Sequence, residues 1–224
     1  MIDSSTILVL ITGLSLGILH AFDADHIMAV SSLSKRNFSA KQLTVFCGRW
    51  AIGHGATVCV LSLLLILFGW QLGETVSIWA ERLIGVMLLC VGVLLVFRFF
   101  KSKPKLALKT HHHHDGTQHT HLVKKGNHHE NHLPILVGIV HGIAGSAPLL
   151  ALLPSLIAKA PVFGVGYVLI FSLGVLLSML VFGLVLGYMQ GILKQRSEKV
   201  FNYAKALIGL GASVLGGYWI LGSL

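Results

Sequence analysis

The chain has 224 residues, of which 54% are hydrophobic and 11% are charged, and its mean hydropathy is +0.81. Because soluble domains carry about 25% charged residues, this composition excludes a soluble globular domain and indicates an integral membrane protein. The formal net charge is +9, but the basic residues cluster in short connections between apolar segments. That distribution is typical of juxtamembrane charges and argues against a nucleic-acid partner.

Six apolar segments are long enough to cross a lipid bilayer, which takes about 20 residues per helix. The segments are Thr6–Val30, Leu43–Trp70, Thr75–Phe100, Pro134–Ile157, Val162–Gln190 and Phe201–Leu221. We therefore expect an all-α polytopic membrane protein with six transmembrane helices. Since the N-terminus has no basic region and no clear cleavage site, the first segment is predicted to be a retained helix and not a signal peptide.

The first segment carries ionisable residues at an unusual depth. The octapeptide His20–Ile27 reads His-Ala-Phe-Asp-Ala-Asp-His-Ile, and Asp23 and Asp25 are the two carboxylates found well inside an apolar segment. A charged side chain at the centre of a membrane helix costs roughly 2.5–3.5 kcal/mol, so such residues indicate a functional site. Carboxylate and imidazole together suit a borderline divalent ion such as nickel, cobalt or zinc.

Helical periodicity allows two arrangements of this motif. At about 100° per residue, His20, Asp23 and His26 lie within an arc of roughly 120°, and Asp25 lies on nearly the opposite side. A straight helix would use the first three residues as ligands, and Asp25 would orient an imidazole or pair with a basic side chain. If Asp25 and His26 both bind the ion, the helix must unwind near Ala21–Ala24.

Two further histidines, His54 and His141, lie in apolar segments beside glycine. Four intramembrane imidazoles with two carboxylates favour a single metal site. The candidate ligands are His20, Asp23, Asp25, His26, His54 and His141. The three cysteines form no Cys-x-x-Cys pair and are expected to pack in the bundle, and the absence of cysteine ligands argues against copper(I).

The connection at residues 101–133 is rich in histidine and hydrophilic. Such a segment cannot build a core, so we expect it to be disordered. His-rich tracts bind transition metals, which predicts auxiliary metal buffering. Its histidines are His111, His112, His113, His114, His119, His121, His128, His129 and His132.

The halves of the chain can be superposed as a repeat. Gly17–Ala21 matches Gly138–Gly142 at an offset of 121 residues, and Gly53 falls on Gly174 at the same offset. Since each half has three predicted spans, the second half must be inverted relative to the first, as in many transporters. We therefore divide the chain into a first repeat (1–100), the loop (101–133) and a second repeat (134–224), in which Pro148 is expected to break or kink a helix.

The connections also predict an orientation. Thirteen basic residues fall on one side of the predicted topology and two on the other. By the positive-inside rule the basic side, which includes the His-rich loop, is cytoplasmic, and both termini lie outside. The expected location is the cell membrane.

The octapeptide His20–Ile27 resembles the signature of the nickel/cobalt transporter family, H-x-x-x-x-D-H in a membrane helix. Gly53–Val58 is similar to the next helix of that family. The chain lacks the family's Leu-Gly-Phe-Asp-Thr-Ala-Thr-Glu motif and has six predicted spans where longer members have eight, so it is more similar to the short urease-accessory type of nickel permease. The resemblance implies that His20, Asp25 and His26 are needed for transport and that His54 supports them.

These observations predict a secondary permease, and not an enzyme, that moves Ni²⁺ or Co²⁺ into the cytoplasm. The metal is the transported substrate, no cofactor is predicted, and a cytoplasmic metallochaperone is a candidate partner. Efflux stays open as an alternative, because the efflux branch of the same superfamily also carries a His-rich cytoplasmic loop. A membrane-embedded metalloenzyme and a haem protein are alternatives of other classes, and the oligomeric state is left open.

Overall fold

The computed structural model describes residues 4–69, 74–101, 109–112, 118–121, 132–144 and 161–222. Within these ranges the chain forms seven helices and two short strands. The helices are α1 (Ser4–His20), α2 (Ala24–Leu33), α3 (Ala40–Phe68), α4 (Glu74–Lys101), α5 (Leu133–Ala144), α6 (Pro161–Arg196) and α7 (Glu198–Gly222). The strands are β1 (Lys109–His112) and β2 (Gln118–His121).

The first apolar segment is not one straight helix. It breaks after His20, and α1 and α2 are bent by 49° relative to each other. Local hydrogen bonds close the break, because the Phe22 N–H donates to the Leu19 carbonyl and the Asp23 N–H donates to the His20 carbonyl. Of the two arrangements that periodicity allows, the structure therefore has the one in which the helix unwinds within the motif.

Helices α3, α4, α6 and α7 are each long and apolar enough to cross a membrane, and α1 with α2 makes a fifth crossing if the bent pair is taken as one span. Their bounds agree with the predicted segments to within a few residues at most ends. The fourth predicted segment, Pro134–Ile157, is described only as the 12-residue α5. Residues 145–160, which include Pro148, lie outside the described residues, so a membrane span over the fourth predicted segment is not established.

The ends of α3 show why the helix has these bounds. Ser39 accepts a hydrogen bond from the Gln42 backbone N–H, and the Gln42 side chain accepts one from the Ser39 N–H. This reciprocal capping box satisfies amide groups that have no partner inside the helix. At the other end Gly69 has φ 63°, a left-handed conformation that glycine adopts at little cost, and its N–H donates to the Leu65 carbonyl.

Helix α3 lies at the centre of the fold, where it packs on α5 and α6, while α1 packs on α6 and α4 packs on α7. The interior contains fully buried side chains such as Leu43, Trp50 and Val58. Large apolar side chains also cover the outside, with Phe68 74% and Phe100 81% exposed. An outer surface of this kind is costly in water and favourable in lipid, as expected for a multi-pass membrane protein.

Strands β1 and β2 lie in the connection that the sequence predicts to be disordered. They pair antiparallel, with Lys109 opposite His121 and His111 opposite His119. Thr110 and Thr120, a residue type with high strand propensity, pair at the second register position. These eight residues are paired, while disorder of the connection as a whole stays a prediction, because its other residues up to 131 lie outside the described residues.

Candidate metal centre

The break between α1 and α2 is what assembles the polar cluster. His20 is the last residue of α1, whereas Asp25 and His26 lie in the first turn of α2. His54 lies at the middle of α3, and His141 lies in the last turn of α5. The structure thus brings four histidines from four helices together, and three of them, His26, His54 and His141, are at most 1% exposed.

His20 and His54 meet through their Nε2 atoms, which are 3.3 Å apart. Two nitrogens that bind one tetrahedral ion at about 2.0–2.1 Å are separated by about 3.3 Å, so this pair has the spacing of two ligands of one ion. One ligand atom each from His20, His26 and His54 lies within 4.8 Å of the others. This compact group can hold a single metal ion.

The Nδ1 atoms of three histidines already have acceptors. His20 donates to Asp23 Oδ2 (2.7 Å), His26 donates to Asp25 Oδ1 (3.0 Å), and His141 donates to the Val137 carbonyl (2.8 Å). We assign the tautomers from these partners, which leaves a lone pair on each Nε2. This is the arrangement of metal-binding histidines, whose second ring nitrogen usually donates to a carboxylate or a carbonyl.

The lone pairs that result are buried and unpaired. Among the described residues, His26 Nε2 and His141 Nε2 have no hydrogen-bond partner, and the same is true of His54 Nδ1. A buried polar atom without a partner costs about 1–3 kcal/mol. His141 Nε2 moreover faces Asp25 Oδ2 at 4.0 Å. Since both atoms are acceptors, a cation beside them would offset this cost.

Asp23 and Asp25 have different environments. The Asp25 side chain is 7% exposed and contacts His26 and His141. The Asp23 side chain is 52% exposed and contacts His20. Asp23 also precedes the first residue of α2 without making a side-chain capping bond. Asp25 therefore belongs to the buried cluster, whereas Asp23 lies at its solvent-accessible edge and orients His20.

Two aromatic residues that were not predicted complete the cluster. Trp50 stacks on His54 with ring centroids 5.3 Å apart and contacts the rings of His26 (4.7 Å) and His141 (5.4 Å). Phe171 lies against His20 at 5.5 Å. One signal could have identified them, because Trp50 precedes His54 by one helical turn and Phe171 follows Trp50 by the repeat offset of 121 residues. Both rings exclude water from the imidazoles.

The loop histidines are not part of this cluster as far as the structure describes them. His132 is exposed. Four others, His111, His112, His119 and His121, lie in β1 and β2. His113, His114, His128 and His129 lie outside the described residues.

Comparison with known proteins identifies the family. A family model described as "Cytochrome C biogenesis protein transmembrane region" matches residues 10–211, which is most of the chain. The chain belongs to this family. The chain is 31% identical to the "Urease accessory protein UreH" of Bacillus sp. (strain TB-90), over 93% of this chain and 88% of the relative. The predicted resemblance to the short urease-accessory type is thereby confirmed.

Two more distant relatives of the chain occur in a plant. The "Chloroplast protein FOR GROWTH AND FERTILITY 2" of Arabidopsis thaliana is 26% identical over 91% of this chain, which spans 55% of the relative. The "Chloroplast protein FOR GROWTH AND FERTILITY 1" is 24% identical over 89% of this chain and 56% of its own length. No solved structure matches the chain. The likeness to a urease accessory protein agrees with the prediction that the chain is not an enzyme.

Proposed function

We propose that the chain is a secondary permease that carries Ni²⁺, and also Co²⁺, across the cell membrane into the cytoplasm. The observation that carries the proposal is the pair of buried Nε2 lone pairs of His26 and His141, gathered with Asp25 beside the Nε2 contact of His20 and His54. Nickel-related transport is in keeping with the likeness to a urease accessory protein. Imidazole nitrogen and carboxylate oxygen are ligands that a borderline divalent ion accepts.

The depth of the site supports transport over storage. His54 is the central residue of the 29-residue α3. Transporters bind their substrate near the middle of the membrane, commonly at broken helices. The break between α1 and α2 lies at this cluster, where the N-terminal end of α2 presents Asp25 and His26. A dehydrated ion would be held there by the imidazoles and Asp25, with Asp23 next to the entrance.

We further propose that the fold is a six-span inverted repeat. In this repeat α5 corresponds to α1, and α6 corresponds to α3. Helix α1 packs on α6 and α5 packs on α3, so a two-fold axis would exchange these two contacts. A Cβ atom at Gly17 would overlap the Phe171 carbonyl, and one at Gly138 would overlap the Trp50 carbonyl. Gly138 follows Gly17 by 121 residues, and Phe171 follows Trp50 by the same number. A second set of contacts is related in the same way. A Cβ atom at Gly53 would overlap the Ile135 carbonyl, and one at Gly174 would overlap the Leu14 carbonyl.

Helices α4 and α7 support the same symmetry. Gly85 lies against the Gly216 carbonyl and Gly216 against the Gly85 carbonyl, while Gly92 and Gly209 are paired in the same reciprocal way. These residues correspond at an offset of 124, three more than in the other helices. Such reciprocal backbone contacts are expected of two inverted repeats that meet around a central site, and we propose that these halves rock against each other to alternate access.

The predicted sidedness is supported by contacts between basic connections. Lys194, at the end of α6, donates to Asn37 Oδ1 at 3.0 Å, and Arg36 pairs with Glu198 at 2.7 Å. The α2–α3 and α6–α7 connections therefore meet at one end of the bundle, which carries the basic residues that the positive-inside rule assigns to the cytoplasm. We propose that this end is cytoplasmic and that the His-rich loop buffers arriving metal there.

Radiolabelled nickel in cells tests the function and its direction. Cells that express the chain should accumulate nickel faster than control cells, and the His26→Ala variant should lose this gain at equal amounts of membrane-inserted protein. His132→Ala is the matched control, because His132 is exposed and lies outside the cluster. Faster loss of preloaded nickel would favour the efflux alternative, and unchanged nickel movement in both directions would contradict the proposal.

A further inference from the structure

A cavity of about 350 Å³ lies at the basic end of the bundle, between the C-terminal ends of α2 and α4 and the first turns of α7. Four basic side chains line it: Lys35, Arg36, Arg98 and Lys205. No carboxylate belongs to the described residues of its wall. We call this space the basic cavity. It is separate from the imidazole cluster, and the proposed transport of a cation does not use it.

Lys205 is a charged residue inside a predicted membrane span, and its contacts explain how the helix accepts it. Its ammonium group donates to the carbonyls of Ser31 (2.9 Å) and Ser34 (2.8 Å) and to the Ser34 hydroxyl. These groups form the C-terminal end of α2, where a cation is favoured by the helix dipole. All three acceptors are neutral, so the hydrogen bonds hold the ammonium group but leave its positive charge uncompensated.

The other basic residues differ in their partners. Arg36 pairs with Glu198 at 2.7 Å and lies over the Phe201 ring. Arg98 makes no ion pair with any residue of the described part of the chain. At least two positive charges of the basic cavity, those of Arg98 and Lys205, therefore lack a counter-charge among the described residues. Like charges that share a cavity repel each other, and an anion between them removes that cost.

The apolar part of the wall indicates what kind of anion fits. Leu95, Phe99 and Phe201 line the basic cavity, together with the polar residues Ser32, Ser34 and Asn202. Arg98 lies in the last turn of α4, and the neighbouring Phe100 is 81% exposed on the outer surface. The cavity is thus at the level where α4 ends and α7 begins, and its wall combines cations with apolar side chains. An amphiphile with a negative head matches both parts of this wall.

We propose that the basic cavity binds an anionic phospholipid of the cytoplasmic leaflet, with its phosphate group between Arg98 and Lys205 and an acyl chain along Leu95 and Phe99. Basic pockets between membrane helices bind such headgroups on the cytoplasmic side. A second reading, that the cavity is the exit path of the transported metal, is disfavoured because four cations would repel a divalent ion. The bound lipid would link the C-terminal end of α2 to α4 and α7, and the first turn of the same helix carries Asp25 and His26.

Native mass spectrometry of the purified full chain tests this proposal without any transport assay. The protein is titrated in detergent with phosphatidylglycerol or with phosphatidylcholine of the same acyl chains. We expect phosphatidylglycerol to be retained selectively, and Arg98→Gln to weaken its binding by about five- to tenfold. Lys101→Gln is the matched control, because Lys101 lies in the same helical turn but over the Phe97 ring and outside the cavity. It should bind phosphatidylglycerol as the unmodified chain does.

Equal retention of the two lipids would overturn the proposal, and so would an equal loss of binding in both variants, which would indicate general surface charge. A competition arm with inorganic phosphate distinguishes the sources of the anion. If millimolar phosphate displaces phosphatidylglycerol completely, the cavity is a site for soluble phosphate and the lipid assignment is wrong. Arg98→Lys keeps the charge and should restore most of the binding. Failure of nickel transport leaves all of these readouts unaffected.

Discussion

The Nε2 atoms of His20 and His54 lie 3.3 Å apart, although the residues belong to different helices and are 34 positions apart in the chain. Without an ion, one of the two nitrogens must carry the proton and donate to the other. With an ion, both can bind it at once, at the spacing expected of tetrahedral ligands. Binding of the transported metal would therefore displace the proton from this contact, and the unpaired Nδ1 of His54 can take it.

The position of His54 predicts a stronger effect than a supporting role implies. His54 contacts His20 and lies within 5.5 Å of the His26 ring. We expect His54→Ala to abolish high-affinity nickel binding, as His26→Ala does, because each removes one of three neighbouring ligands. Isothermal titration of purified protein measures this, and His132→Ala should bind normally. Wild-type affinity in His54→Ala would contradict the assignment of His54 as a ligand.

Substitutions of the two carboxylates of the motif should affect nickel uptake to different extents. Asp25→Asn should abolish nickel uptake, because it removes the buried negative charge beside His26 and His141. Asp23→Asn should weaken binding about 10–100-fold and leave measurable uptake, because Asp23 only orients His20 from an exposed position. Uptake at several nickel concentrations distinguishes the two. Equal defects in both variants would mean that Asp23 is also a ligand.

Trp50 provides an optical signal of the site. Its ring contacts three of the histidines, so a paramagnetic nickel ion bound among them should quench its fluorescence. We expect saturable quenching by nickel that is lost in Trp50→Phe. Trp79→Phe is the control, because Trp79 is 63% exposed and lies on α4 beside Arg82. If the quenching follows Trp79 and not Trp50, nickel binds elsewhere.

The close backbone contact at Gly138 predicts a sharp stability effect. A methyl group there would overlap the Trp50 carbonyl, a backbone atom that cannot move aside. Gly138→Ala should therefore destabilise the protein by about 1–3 kcal/mol. Gly191→Ala meets nothing within 4 Å and should instead stabilise α6 by up to about 1 kcal/mol. Denaturant unfolding in detergent compares them, and a neutral Gly138→Ala would show that α3 and α5 are less close than described.

Much of the architecture could be predicted, because transmembrane segments follow from length and hydropathy alone. The bounds of α3, α4 and α7 lie within a few residues of the predicted segments. The break between α1 and α2 was only one of two predicted options. The placement of the motif residues at 100° per residue assumes a straight helix. The contacts with α3 and α6 that hold this segment bent cannot be read from the sequence of the segment alone.

The membership of the site could also be predicted in large part, but its geometry could not. His20, Asp25, His26 and His54 stand out as polar residues in apolar surroundings, whereas Trp50 does not, since a tryptophan in a membrane helix is unremarkable in sequence. The distance between His54 and His141 depends on how closely α3 and α5 approach. Glycines beside the histidines permit that approach, and only the packed helices show which carbonyl each glycine meets.

X-ray absorption spectroscopy of the nickel-loaded protein tests the central claim most directly, using a variant in which the loop histidines at positions 111–132 are replaced by alanine. The account predicts one tightly bound nickel ion per chain, with nitrogen and oxygen neighbours, the outer-shell scattering of at least two imidazole rings and no sulfur. The signal should disappear with His26→Ala. Loss of bound nickel when only the loop histidines are replaced, or a spectrum without imidazole, would contradict it.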